Sequence, residues 1–113
     1  MGALDEAGPS TPVRPLATVN GAYIPYYDRA AARGIEERYR LVIDGEPFWL
    51  TSIPGHRPAD GDEPDLVLEG PAWAFMAARQ AKSLSRFVHD GTIRRAKGSA
   101  KSLRNFERVF SFS

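Results

Sequence analysis

Asp44-Gly45 stands between two runs in which apolar and polar residues alternate, 38–43 and 46–53. An Asp-Gly pair accepts the positive φ values of a type I′ turn, so the two strands it joins pair in a register that the turn dictates. Ile43 then faces Glu46, Leu41 faces Phe48, and Tyr39 faces Leu50. Tyr39, Leu41, Ile43, Phe48 and Leu50 share one apolar face; Arg38, Arg40, Val42, Trp49 and Thr51 share the other. A hairpin of this size is not stable alone, so the rest of the chain must cover its apolar face.

The flanking segments supply the cover. Residues 1–20, with four prolines and glycines before residue 13 and little periodicity, read as a flexible tail ahead of a domain over 21–113. Tyr23, Ile24, Tyr27, Ala30 and Ala31 fall on one helical face, with Pro25 in the first turn and Gly34 as a left-handed end. Residues 54–64 read as a loop, and 65–69 alternates again as a third strand, Leu66 and Leu68 to one side. Gly70-Pro71 opens a helix in which Trp73, Met76 and Ala77 share a face and Ala72, Phe75 and Met76 form an overlapping stripe; apolar around much of its girth, it is expected to be buried. Ser83 and Gly91 bracket a short helix with Leu84, Phe87 and Val88, and 92–97 reads as an edge strand around Ile93. Ser99 caps a last helix with Leu103, Phe106, Val109 and Phe110 as its stripe. Strands followed by grouped helices predict an α+β domain, its helices packed on one face of a mainly antiparallel sheet.

Bulk properties exclude several classes. The 113 residues make one domain, and 42% hydrophobic with 26% charged residues is ordinary for a globular chain. There is no cysteine, which rules out disulfides, thiolate catalysis and cysteine metal sites and fits a reducing compartment. No apolar run reaches the ~18 residues of a membrane span, and no secretory signal is evident, so a cytoplasmic protein is expected. Charge is uneven: residues 1–78 hold 12 acids against 6 bases, and residues 79–113 hold 2 acids against 9 bases. A basic C-terminal third could favour an acidic partner, an anionic ligand or nucleic acid, but neutralisation of the acidic part of the same or a neighbouring chain is the expected reading of that split.

Several phrases, in order, resemble the sterol carrier protein-like lipid-binding domain. Tyr39-Arg-Leu-Val-Ile-Asp-Gly-Glu-Pro-Phe48 is similar to its opening hairpin, and Asp65-Leu-Val-Leu-Glu-Gly70 to the strand that leads into its central helix. Phe87-Val-His-Asp-Gly-Thr-Ile93 resembles its short helix, glycine and return strand; Lys97-Gly98 with Leu103, Phe106 and Phe110 resembles its closing strand and last helix. The resemblance covers about residues 23–112 and is nearest to the version at the C-terminus of HxlR- or MarR-type winged-helix regulators. No helix-turn-helix of sufficient length precedes residue 35, so the chain looks like a stand-alone copy or a piece of a longer regulator. The paired Arg94-Arg95 departs slightly from the family's return strand. The resemblance implies a small hydrophobic or amphipathic ligand in a cavity between sheet and helices, lined by Tyr39, Leu41, Phe48, Leu50, Phe75, Met76, Phe87, Phe106 and Phe110, with Met76 the most adaptable. It also implies a winged-helix regulator as a possible partner. Plain core packing is the competing reading for each of the nine.

Little else carries chemistry. His89 and Asp90 are adjacent, but neighbours on a helix point about 100° apart and do not face each other; His56 lies in a polar loop. Asp60, Asp62, Glu63 and Asp65 cluster without the spacing of a calcium loop, so no metal is expected. No Gly-x-Ser-x-Gly elbow surrounds Ser83, Ser85, Ser99 or Ser102, and no phosphate loop is present, so no cofactor is expected. Arg94, Arg95, Lys97, Lys101, Arg104 and Arg108 form a basic patch without interleaved aromatics, so nucleic acid is not indicated. Arg40 and Trp49 are expected to form a cation–π pair on the outer face, where Val42 and Trp49 offer a homodimer contact. Three functions follow: a non-enzymatic binding module for an apolar ligand, an interaction or dimerisation domain with a filled core, or a small enzyme or accessory using His89 or Asp90.

Overall fold

Turn chemistry decides the centre of the molecule. A computed structural model describes residues 14–53 and 63–112. Asp44 and Gly45 both take positive φ, 52° and 84°, and strands β1 (Arg38–Ile43) and β2 (Glu46–Thr51) pair antiparallel in the expected register. Strand β3 (Leu66–Gly70) lies parallel to β1 on its other side, and β4 (Arg94–Lys97) closes the sheet antiparallel to β3. The order is β2-β1-β3-β4, so two of three pairings are antiparallel. Tyr39, Leu41, Ile43, Leu66 and Leu68 are fully buried on one face.

Helices α1 (Pro15–Ala22), α2 (Ala72–Ala81) and α4 (Ala100–Val109) bury residues in the same core, and α3 (Ser85–His89) packs Phe87 and Val88 against it. Ser99 caps α4 by accepting the Ser102 N–H at 3.1 Å, as its sequence position suggested. Pro71, the cap residue of α2, has no side-chain acceptor; Asp44 takes that part from the hairpin, its Oδ1 accepting the Ala72 N–H at 3.2 Å. Glu107 on α4 does the same for α3, accepting from the Leu84 and Ser85 N–H groups, both at 2.9 Å, and from the Ser85 hydroxyl. Carboxylates thus sit at helix N-termini, where orphan N–H groups and the dipole favour them. Gly98 has φ +111°, and a Cβ there would lie 2.7 Å from the Asp65 carbonyl oxygen, so only glycine lets the β4–α4 link pass β3.

Three expectations change. The first helix spans Pro15–Ala22 and buries Val19 and Ala22, so that it begins inside the stretch 1–20 read as a tail; residues 1–13 of that stretch lie outside the described residues. The helix expected over 23–31 is instead a 3-10 turn (Ile24–Tyr26) followed by turns. Pro25 cannot continue α1, having no N–H to give. Asp28 then takes the Ala31 N–H on its own Oδ1, a local bond that competes with helix. Tyr23 is fully buried whereas Ile24 is 49% exposed, so the expected common face does not exist. Helix α2 is one-sided: Ala72, Ala74, Phe75 and Ala78 are buried, and Trp73 is 58% exposed.

Arg79 fastens the helical layer. Its Nε donates to the Ala22 carbonyl at 2.7 Å, its two terminal nitrogens to the Phe110 (2.7 Å) and Ser111 (3.2 Å) carbonyls. The guanidinium carbon lies 4.0 Å from the Tyr26 ring centre and 3.9 Å from that of Phe112. Replacing Arg79 by Lys keeps the charge but not the planar fork. Arg79→Lys is expected to lose about 2 kcal/mol, the worth of one charged hydrogen bond with part of the ring stacking; urea unfolding checks it, and an unchanged midpoint would refute the clasp.

Candidate functional site

The nine side chains assigned to a ligand cavity come together between sheet and helices. Tyr39, Leu41, Phe75 and Phe106 are fully buried, and Leu50 and Phe110 nearly so; Phe48, Met76 and Phe87 are half-buried and packed against the same cluster. The aromatic rings interlock: Tyr39 meets Phe106 edge-on at 4.9 Å between centres, and Phe106 lies 4.7 Å from Phe110. Tyr23 adds edge contacts with Phe75 at 6.0 Å and tilted ones with Phe106 at 6.1 Å. Such distances are those of favourable ring pairs in close-packed interiors.

A polar knot closes one end of this core. Glu37, just ahead of β1, accepts from the Tyr39 hydroxyl (2.8 Å) and Asn105 (3.3 Å) on Oε1, and from the Ser102 hydroxyl (2.8 Å) on Oε2. Ser52, fully buried after β2, donates its hydroxyl to the Ile35 carbonyl at 2.6 Å and accepts the Glu37 N–H at 2.8 Å. Tyr27 donates to the Ser52 carbonyl at 2.7 Å. These bonds tie β1, β2 and α4 together, with both carboxylate oxygens accepting hydrogen bonds from the fold.

The second face of the sheet carries Arg40, Val42, Trp49 and Val67, all half-buried. Arg40 stacks on Trp49 at 5.7 Å, the expected cross-strand pair, and its buried Nε has no acceptor among the described residues. At the edge of this face Arg94 pairs with Glu69 (3.5 Å) and Lys97 with Glu63 (2.7 Å), so bases from the C-terminal third do meet acids from the acidic part.

A concavity of about 560 Å³ opens elsewhere, between the turns 29–36 and the end of β2. None of the nine residues lines it. The segment that lines it is one for which the sequence predicts a helix that does not form; the four-residue spacing of Arg29 and Arg33 ahead of Gly34-Ile35 is the available signal.

Candidate chemistry elsewhere stays thin. His89 and Asp90 are both exposed at the end of α3, and Asp90 accepts the Thr92 N–H (2.8 Å) and hydroxyl (2.6 Å), which hold its carboxyl below its ordinary pKa. His56, Asp60 and Asp62 lie outside the described residues. Among the described residues no cluster of His, Asp and Glu could hold a metal ion, and no helix is long and apolar enough to cross a membrane. Set against protein-family models, curated proteins and solved structures, the chain has no match in any of the three.

Two phenols report on the core. Burial pushes Tyr23 far above its ordinary pKa of 10.0, against a smaller lowering by Arg79. Burial also raises Tyr39, reinforced by its bond to Glu37. An unfolded chain ionises both near pH 10, so above that pH the folded state binds more protons and stability falls as pH rises; below it the contribution is fully present. Guanidinium unfolding at pH 8 and pH 11 is expected to show that fall, and Tyr23→Phe with Tyr39→Phe to flatten it. An alkaline slope identical in the double variant would contradict this placement of the two rings.

Proposed function

We propose that this chain is a non-enzymatic interaction module with a filled core, which pairs with a second copy through the Val42/Trp49 face of its sheet. The filled core carries this reading. Large aromatic side chains that would have to stand back from a ligand are instead in mutual contact, Tyr39 with Phe106 and Phe106 with Phe110. On the second face of the sheet the aromatic side chain is Trp49, half-buried and stacked with Arg40 beside Val42. Trp and Arg are the residue types that anchor protein interfaces. A cysteine-free chain suits a reducing, cytoplasmic setting.

The sterol carrier protein-like reading is the second proposal. Its support is the order of elements, with helices grouped against one face of a four-stranded sheet. A lipid held between sheet and helices would have to displace the Tyr39–Phe106–Phe110 contacts. In that reading the domain senses or carries an apolar molecule, alone or for a winged-helix regulator.

Native mass spectrometry of the freshly purified protein separates the two. A ligand-free dimer that becomes monomeric in Trp49→Glu, with its fold retained, is the expected outcome. A monomer carrying a stoichiometric apolar adduct would overturn the interaction reading and establish the carrier; a ligand-free monomer would overturn both.

A further inference from the structure

We propose that the concavity between the turns 29–36 and the end of β2 is a binding site for a compact organic monocarboxylate, independent of the sheet face. Its volume of about 560 Å³ falls in the range of small-molecule sites, roughly 300–1,000 Å³. Ala30, Ala32, Ile35 and Ile53 supply an apolar lining, and Arg29 and Arg33 stand among them. Both arginines are exposed, and neither forms an ion pair or side-chain hydrogen bond among the described residues. Both guanidiniums border the one concavity, so an anion held there meets two positive charges. Guanidinium groups bind carboxylates through paired, charge-assisted hydrogen bonds.

The frame is fixed before any ligand arrives. The Asp28 N–H donates to the Val109 carbonyl at 2.7 Å, which anchors the start of the turns to the end of α4. The Ser52 hydroxyl, donating to the Ile35 carbonyl at 2.6 Å, anchors their end to β2. Ile35 in turn holds the Ala32 carbonyl at 2.9 Å. A preorganised site loses less on binding than one that must be ordered. Glu36 also lines the concavity, and Asp28 is near, its Oδ1 taken up by the Ala31 N–H. Two guanidiniums against the Glu36 carboxylate favour a single negative charge over two, and the apolar lining favours an acid with a small hydrophobic body.

Sodium 4-phenylbutyrate is the probe, with 4-phenylbutan-1-ol and 4-phenylbutylamine as neutral and cationic counterparts of the same body. Titration into the full chain, followed by amide NMR shifts, is expected to give saturable changes confined to residues 29–36, 52 and 53. The alcohol is expected to bind about ten-fold more weakly or worse, the cost of losing one charge-assisted contact. Arg29→Ser with Arg33→Ser, both at exposed positions, is expected to keep a dispersed spectrum and to abolish the preference for the acid over the alcohol. Trp49→Glu is expected to leave binding unchanged, which separates this site from the sheet face. No saturable shift, equal binding of the three probes, an unaltered preference in the double variant, or shifts centred on Tyr39 and Phe106 would each overturn the proposal.

Discussion

Arg79 is a cation without a carboxylate partner among the described residues, and the helical layer depends on how that cation is satisfied. Its three hydrogen bonds go to the carbonyls of Ala22, Phe110 and Ser111. Ala22 ends α1, and Phe110 and Ser111 follow α4, so the guanidinium meets the negative ends of two helices, where a cation is favourable. Tyr23, Tyr26 and Phe112 surround it with ring faces and edges. One side chain from the last turn of α2 thereby orders both ends of the described chain against the same spot. Without it, α1 has only Thr18, Val19 and Ala22 buried over eight residues, too little for so short a helix to persist by itself.

The acids complement this arrangement from the other polarity. Asp44 caps α2, Glu107 caps α3, and Asp65 accepts the Arg38 N–H at 2.8 Å where β3 meets β1. Glu37 is taken up by Tyr39, Ser102 and Asn105. Each carboxylate satisfies donors on a segment remote in sequence, so each acts as a long-range fastening.

Where local chemistry dictates geometry, the sequence is readable. Asp44-Gly45 yields the full β1–β2 register and the Arg40–Trp49 stack, because a two-residue turn leaves no freedom to slip. Ser99 and the spacing of Leu103, Phe106 and Val109 yield α4 for the same reason. The parallel pairing of β1 with β3 was not legible, since it follows from a crossover and not from alternation within either strand. Helix α1 was invisible because Pro-Leu-Ala-Thr-Val-Asn-Gly-Ala has no strong apolar stripe; its helicity comes from contacts with α2. Trp73 misled because a large apolar residue on a helix suggests burial, whereas small alanines take the buried positions of α2 and let it approach the core closely. The nine cavity candidates lie in or against one core cluster, yet pattern cannot distinguish a lined space from a filled one. Both need the same residues on the same faces.

The ring contacts bear on that ambiguity more than hydrophobicity does. Phe106 touches Tyr23, Tyr39 and Phe110 at once, with ring centres no more than 6.1 Å apart. Opening a ligand-sized space there means separating several of these contacts and leaving the unmatched surfaces to be covered by the guest. The loss is comparable to a large-to-small core substitution, about 3–5 kcal/mol for a phenylalanine, and any core ligand must recover it before binding tightly. The second sheet face and the turn-lined concavity carry no such burden. Their apolar groups are already partly in water, and their charges, Arg40 on one and Arg29 with Arg33 on the other, have no ion-pair partner among the described residues. Binding energy is most accessible at surfaces where the fold has already met its own needs and left polar groups over, and in this chain those surfaces lie outside the core.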